Sequence, residues 1–154
     1  MIATTIIQHC IKHRYTISAA ESCTGGQLIA ALVAVPGASS VIEASFVTYA
    51  NDAKIKYAHV QPHTIETYGA VSEETAREMA AGVAKEASAE IGIGITGIAG
   101  PSGGTKDKPV GTVFVSVDVQ GTSTSRRYLF EGNRYQIQSQ TVNAVLALLG
   151  EVLL

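Results

Sequence analysis

The chain has 154 residues, 46% of them hydrophobic and 16% charged, which predicts one soluble domain with one hydrophobic core over residues 1–154. A formal net charge of -2 gives no overall attraction to nucleic acid or to an anionic membrane, so neither is expected as a partner. The two cysteines lack metal-ligand spacing, and we expect them to be reduced thiols. The sequence shows no apolar run near 20 residues and no secretory signal, which favours a cytoplasmic location.

Helices and strands are predicted in alternation along the chain. Apolar residues at helical spacing indicate the helices, and short runs rich in β-branched residues indicate the strands. In chain order the predicted elements are a helix over 4–13, a strand over 15–20, a helix over 27–33, a strand over 41–49, a helix capped by Asn51 or Asp52, a short helix over 64–68, a helix over 73–86, a strand over 91–96, strands over 113–119 and 124–130, and a helix over 133–153.

Local signals define several of these boundaries. Gly69 is a predicted left-handed stop, and Ser72 is a predicted N-cap with acidic residues in the turn that follows it. A turn near Gln120-Gly121 joins the last two strands into a hairpin. Strands interleaved with helices and followed by a hairpin predict an α/β fold, a three-layer α/β/α sandwich with a mixed, mostly parallel sheet.

Three polar or glycine-rich segments follow predicted strands. They are Glu21 to Gly26, Tyr49 to Lys54, and Gly97 to Gly104. Ligands of open α/β sheets bind outside the carboxyl ends of the strands. We therefore expect the three segments to converge on one crevice.

The chemistry available there begins with the Ser22 alcohol, which needs a base to become a nucleophile. Lys54 can be that base if burial and a helix N-terminus lower the pKa of its amine. Backbone amides around Thr24, Gly25 and Gly26 would then stabilise the oxyanion of an acyl-transfer intermediate. These residues together favour a hydrolase that works through an acyl-enzyme.

Each of these residues also has an ordinary structural interpretation. Ser22 can be a helix-cap hydroxyl, and Lys54 can be a solvated surface charge. Tyr49 is either a core aromatic or a residue that relays a proton or positions substrate. Cys23 is a competing nucleophile for an amidohydrolase, although no histidine is evidently paired with it.

The run from Gly97 to Gly104 brings small residues directly after a buried strand. Such a loop lets backbone amides approach a phosphate or a carboxylate, but it lacks the P-loop pattern. Arg126, Arg127 and Arg134 are each either a solvated charge or a contact for an anionic substrate group.

Several ordered motifs carry a family resemblance. They are Ala20-Glu21-Ser22-Cys23-Thr24-Gly25-Gly26, Phe46-Val47-Thr48-Tyr49-Ala50-Asn51-Asp52-Ala53-Lys54, Gly69-Ala70-Val71-Ser72-Glu73, Thr96-Gly97-Ile98-Ala99-Gly100-Pro101 and Lys108-Pro109-Val110-Gly111-Thr112. Together they resemble the CinA C-terminal domain family, whose stand-alone members are nicotinamide-nucleotide amidohydrolases of the PncC type. The similarity runs from about Thr16 to the last helix.

The resemblance implies hydrolysis of the carboxamide of nicotinamide mononucleotide to nicotinic acid mononucleotide and ammonia, without a metal or a cofactor. It maps a catalytic serine and lysine onto Ser22 and Lys54, and an associated tyrosine onto Tyr49. Substrate contacts map by motif onto Thr24, Gly25, Gly26, Asn51, Gly97, Ala99 and Gly100. The alternative is a non-catalytic nucleotide-binding module that serves a partner protein.

The chain departs from the family pattern at two places. Tyr57-Ala58-His59-Val60 stands where the family usually has a Leu-Gly-Val-like stretch, and Gly132-Asn133-Arg134 replaces the usual Gly-Asp-Arg. The second departure removes a carboxylate from that site. The apolar terminal helices and the free sheet edge predict a homodimer, with a small-molecule nucleotide as the other partner.

Overall fold

A computed structural model describes residues 1–154. It contains five strands and six helices, in addition to one short 3-10 turn over Ala38–Ser40. The strands are β1 (Ile17–Glu21), β2 (Phe46–Val47), β3 (Ile91–Gly97), β4 (Thr112–Val119) and β5 (Thr122–Leu129). The helices are α1 (Ile2–His13), α2 (Gln27–Val33), α3 (Asn51–Ala58), α4 (Pro62–Tyr68), α5 (Glu73–Glu86) and α6 (Arg134–Leu153).

All five strands belong to one mixed sheet with the order β2-β1-β3-β4-β5. The pairs β2/β1 and β1/β3 are parallel, while β3/β4 and β4/β5 are antiparallel. Four of the five strands therefore run in the same direction, and the predicted mixed α/β sheet with its closing hairpin is confirmed. None of the helices is both long enough and apolar enough to cross a membrane.

The larger hydrophobic core lies between the sheet and helices α1, α2 and α6. On β3 the odd-numbered residues Ile91, Ile93 and Ile95 enter this core, where they join residues such as Ile6 and Leu148. The strand contributes alternate side chains because successive residues of a strand point to opposite faces of the sheet. This core holds β1 and β3 in the register that sets the positions of the loops after them.

Helix α5 packs on the opposite face of β3, close to the backbone itself. A Cβ atom at Gly92 would lie 1.9 Å from the Ala80 carbonyl oxygen, and one at Gly94 would lie 2.2 Å from the Ala76 carbonyl oxygen. Both distances are far below van der Waals contact. The alternating glycines of this strand are therefore required for the third layer to pack.

We expect Gly94→Ala to destabilise the protein by about 3 kcal/mol, because the added methyl group forces α5 away from the sheet. Thr122→Ala, at an exposed position of the edge strand β5, is the control and should change stability by less than about 0.5 kcal/mol. Urea denaturation of both variants measures the difference. Equal stability of the two variants would show that α5 is not held as close to β3 as described.

The second predicted strand is much shorter than expected. Residues 41–49 were expected to be extended, yet only Phe46 and Val47 form β2. The reason is a side chain: the Ser45 hydroxyl accepts from the Ala19 amide at 3.0 Å and donates to the Ala19 carbonyl at 2.8 Å. It replaces the backbone partners that β1 would otherwise find in a regular ladder.

The predicted helix boundaries hold in most places and fail in one. Ser72 caps α5 by accepting from the Thr75 amide at 3.2 Å, and Gly69 ends α4 with φ of 87°. The prediction that Asn51 or Asp52 caps α3 is wrong. Ala50 is the N-cap, and it makes no side-chain cap bond.

Candidate active site

The three segments expected to converge do so around one cavity of about 290 Å³. It opens beyond the carboxyl ends of β1, β2 and β3, where a parallel sheet presents its loops. The lining residues are Ser22, Cys23, Tyr49, Asn51, Lys54, Ala70, Val71, Thr96, Gly97, Ile98, Ala99, Gly100, Ser102, Gly103 and Arg134. The turn between α4 and α5 and the first residue of α6 thus join the predicted segments.

Lys54 lies in the first turns of α3 with its side chain directed inward, and only 2% of the residue is exposed. Its Nζ is 3.0 Å from Ser22 Oγ, 2.8 Å from the Thr48 carbonyl oxygen and 3.1 Å from the Tyr49 carbonyl oxygen. None of the ion pairs in the structure includes Lys54. The surface-charge interpretation of this lysine is therefore wrong.

Burial lowers the pKa of the Lys54 amine to about 8, because the charged form loses water without gaining a carboxylate partner. The three neighbours also suit the neutral amine. A neutral amine has two N–H groups and one lone pair. The two N–H groups can donate to the Thr48 and Tyr49 carbonyls. That lone pair is left for the hydroxyl hydrogen of Ser22.

Ser22 is held at the end of β1 by its own backbone. Its N–H donates to the Ile95 carbonyl at 3.0 Å, and its carbonyl accepts from the Gly25 amide at 3.1 Å. The helix-cap interpretation of Ser22 is wrong, because Gly26 is the N-cap of α2 and the Ser22 hydroxyl accepts from no amide of that helix. The Ser22 hydroxyl is therefore available to Lys54.

Glu21, the residue before the serine, is fully buried and organises the rest of the motif. Its carboxylate accepts from the Thr24 hydroxyl and from the amides of Gly26, Leu28 and Ile29, the last at 2.8 Å. A carboxylate at free helix N–H groups is a stabilising arrangement. Sequence reasoning assigned Glu21 no role, although an acidic residue shortly before a helix is the signal for one.

The carboxylate of Glu21 also changes the interpretation of Thr24, Gly25 and Gly26. These three were expected to contact substrate and to supply oxyanion-hole amides, but none of them lines the cavity. The Gly26 amide donates to Glu21, and the Gly25 amide donates to the Ser22 carbonyl. The amides of Gly25 and Gly26 and the hydroxyl of Thr24 shape the turn after β1.

Cys23 lines the cavity beside Ser22 but is a poor nucleophile. Burial raises the pKa of its thiol to about 11, which disfavours the thiolate. None of the four histidines lines the cavity. The geometry therefore favours the serine over the cysteine of the same motif.

Tyr49 and Arg134 form a bridge across the cavity. The guanidinium of Arg134 donates to the Tyr49 hydroxyl at 2.8 Å and to the Gly100 carbonyl at 2.7 Å. The Tyr49 hydroxyl makes no hydrogen bond to Ser22 or Lys54, while its carbonyl accepts from Lys54. Of the three arginines considered from the sequence, Arg134 reaches the site, since Arg126 pairs with Glu151 and Arg127 with the Asp107 carbonyl.

The glycine-rich loop contributes backbone amides. Gly97, Ala99 and Gly100 line the cavity as expected, and so do Ser102 and Gly103. The amides of Ala99, Gly100, Ser102 and Gly103 donate to no backbone carbonyl. This loop therefore offers two pairs of unpaired N–H donors, one on each side of Pro101, and clusters of such donors bind anionic oxygens. No cluster of three or more histidine, cysteine or carboxylate side chains is arranged to hold a metal ion.

Residues 1–153 match the model of the CinA C-terminal domain. The chain belongs to the CinA C-terminal domain family. A CinA superfamily protein from Klebsiella pneumoniae has 35% sequence identity and a TM-score of 0.94, with 99% of this chain and 95% of that chain covered. A competence/damage inducible protein from Agrobacterium tumefaciens has 38% identity and a TM-score of 0.93, with coverages of 96% and 91%.

Relatives of this CinA-family chain carry names that refer to competence and damage. A protein from Alkaliphilus oremlandii named as competence-damage inducible is 51% identical over 139 residues, which are 90% of this chain and 34% of that protein. One from Clostridium acetobutylicum is 48% identical over 136 residues, which are 88% of this chain and 33% of that protein. The chain therefore spans about a third of the length of these relatives.

Proposed function

We propose that this CinA-family chain hydrolyses the carboxamide of nicotinamide mononucleotide to nicotinic acid mononucleotide and ammonia. The observation that carries the proposal is the contact between the buried Lys54 amine and the Ser22 hydroxyl at 3.0 Å, in a cavity that is also lined by residues with free amides. A hydroxyl beside a neutral amine is an activated nucleophile for acyl transfer. The family resemblance supplies the choice of substrate.

In the proposed reaction Lys54 takes the hydroxyl proton while Ser22 Oγ bonds to the carboxamide carbon. Lys54 then gives that proton to the amide nitrogen, the carbon–nitrogen bond breaks, and ammonia departs. The acyl group remains on Ser22 as an ester. Water attacks the ester as Lys54 accepts its proton, and the proton returns to Ser22 as the carbon–Oγ bond breaks. The carboxylic acid that forms loses its remaining proton to solvent, which gives the carboxylate product and the restored enzyme.

Two further groups suit the charges of such a substrate. The Cys23 amide, next to the nucleophile, donates to no backbone carbonyl, so it can donate to the oxygen that becomes negative during attack. Arg134 and the free amides of Ala99, Gly100, Ser102 and Gly103 form a cationic and donor-rich wall of the same cavity. We place the phosphate of the nucleotide at this wall and the pyridine carboxamide at Ser22.

Tyr49 keeps a supporting role in this scheme. Its carbonyl orients the Lys54 amine, and its hydroxyl rests on Arg134 rather than on the nucleophile. The hydroxyl makes no hydrogen bond to Ser22 or Lys54, so it can relay a proton only if it moves toward them. Asn51 lines the cavity one residue beyond the Ala50 cap and is assigned to substrate binding.

The test of this function is ammonia release from three compounds given separately: nicotinamide mononucleotide, nicotinamide and glutamine. We expect release from the mononucleotide and far less from the other two, because they lack the phosphate that the glycine-rich loop would hold. Alkylation of Cys23 should spare activity unless the added group fills the cavity. Binding of the mononucleotide without ammonia release would instead favour the non-catalytic nucleotide-binding module.

The proposed base predicts a pH dependence. The Lys54 pKa of about 8 means that the amine is protonated and inactive as a base at low pH. We expect kcat/KM to rise about tenfold per pH unit below pH 7 and to level off above about pH 9. Ammonia release measured from pH 6 to pH 10 checks this, and a profile that is flat over that range would contradict Lys54 as the base.

A further inference from the structure

We propose that Lys108 is a positioning residue that sets the separation between two walls of the cavity and so tunes substrate binding. One wall is the turn between α4 and α5, which contributes Ala70 and Val71. The other wall is the glycine-rich loop over 97–104, and Lys108 follows that loop without itself lining the cavity. The inference rests on the function proposed above.

The Lys108 ammonium donates hydrogen bonds to the backbone of the first wall. Its Nζ donates to the Tyr68 carbonyl at 2.9 Å and, closer still, to the Val71 carbonyl. No ion pair in the structure involves this lysine. Hydrogen bonds from a charged donor are roughly twice as strong as neutral ones, so this half-buried amine ties the turn to the loop.

The turn depends on such side-chain donors along its whole length. The Gly69 carbonyl accepts from the hydroxyls of Ser72 and Thr75, and the Ala70 carbonyl accepts from the Thr96 hydroxyl. The two outer carbonyls, those of Tyr68 and Val71, accept from Lys108. Loss of Lys108 therefore frees both ends of this wall and leaves its middle anchored.

The backbone of Lys108 is hydrogen-bonded to Thr105, the residue directly after the second wall. Its amide donates to Thr105 Oγ1 at 3.1 Å, and its carbonyl accepts from the Thr105 amide at 2.8 Å. The segment that carries Lys108, residues 105–110, also packs tightly on the glycine-rich loop. A Cβ atom at Gly104 would lie 2.7 Å from the Val110 nitrogen. A displacement of residues 105–110 therefore also displaces the loop over 97–104, which lines the cavity.

The test compares Lys108→Met with Lys106→Met, a matched change at an exposed lysine of the same loop that makes no side-chain hydrogen bond. For Lys108→Met we expect KM for nicotinamide mononucleotide to rise about 10- to 100-fold, the range for loss of charge-assisted hydrogen bonds. We expect kcat to stay within about threefold, with its apparent pKa still near 8, because the Ser22–Lys54 contact is untouched. Lys106→Met should match the wild type.

Hydrogen exchange measures the same effect without turnover. The hydrogen-bonded amides of Gly69, Ile98 and Thr105 should exchange faster in Lys108→Met than in Lys106→Met. Wild-type KM together with wild-type exchange in Lys108→Met would overturn the proposal, and so would a fall in kcat at constant KM. If the wild type releases no ammonia, the proposed function fails, while the exchange rates and calorimetric binding of the mononucleotide to Ser22→Ala and Ser22→Ala/Lys108→Met still decide the role of Lys108.

Discussion

Replacement of Lys54 by methionine is expected to lower ammonia release from nicotinamide mononucleotide by at least about a thousandfold. Without the amine no neighbouring group can take the Ser22 proton, and loss of an activated nucleophile typically costs several orders of magnitude in rate. Ser22→Ala should lose a similar amount, and the double variant should lose little more than either single one. Lys56→Met, an exposed lysine of the same helix, is the control and should keep its activity.

Lys54→Met is expected to stabilise the fold at neutral pH. The Lys54 pKa is about 8 in the folded protein and 10.5 in its unperturbed state, so the native state disfavours the charged amine. The stability that this group contributes is present above about pH 10.5 and is lost as pH falls to about 8, a difference of about 3 kcal/mol. The methionine also removes donors from two carbonyls, which reduces the gain.

Urea denaturation at several pH values separates these two contributions. The stability of the wild type relative to Lys54→Met should rise by about 3 kcal/mol between pH 8 and pH 10.5, whatever the offset at neutral pH. Lys56→Met should keep a constant difference from the wild type over the same range. A constant difference for Lys54→Met as well would mean that the lysine has an ordinary pKa.

Glu21→Gln is expected to destabilise the protein by about 3 to 5 kcal/mol. The fully buried carboxylate accepts from one hydroxyl and three backbone amides, and glutamine would turn an N–H group toward these donors. The turn that holds Ser22 would lose its anchor, so activity should fall with stability. Glu43→Gln, at an exposed site, provides the matched control.

Thermal and urea unfolding of the two glutamine variants measure this effect. We expect a large drop in the midpoint for Glu21→Gln and almost none for Glu43→Gln. An unchanged midpoint for Glu21→Gln would mean that the four donors find other acceptors, and that the carboxylate does not organise the motif.

Much of the fold follows from local signals in the sequence. The apolar periodicity of 27–33 and the Ser72 cap of 73–86 predict α2 and α5 to within a residue, because these signals act within one turn of helix. The second strand was predicted too long because β-branched residues indicate an extended chain whether or not it finds a ladder. The Ser45 hydroxyl that replaces this ladder is a contact across 26 residues.

Site residues that directly follow a strand could be predicted from the sequence. Site residues whose partners lie far along the chain could not. Ser22 and Lys54 were placed correctly beside each other because both follow parallel neighbouring strands. Arg134 reaches Tyr49 across 85 residues, and its register is set by the packing of α6. A glycine whose amide is bonded within the protein looks the same in the sequence as one that binds substrate. The position of the Glu21 carboxylate decides the matter for Gly26, because it accepts from that amide.

The proposed mechanism requires the amine of Lys54 to be uncharged for part of the time at neutral pH, and titration of that amine measures whether it is. Protein with carbon-13 lysine has six lysine side chains, and Lys54→Met assigns the signal in question. We predict a midpoint at about pH 8 for Lys54, well below the ordinary lysine value of about 10.4. A Lys54 midpoint at or above 10 would contradict the proposed base and the mechanism built on it.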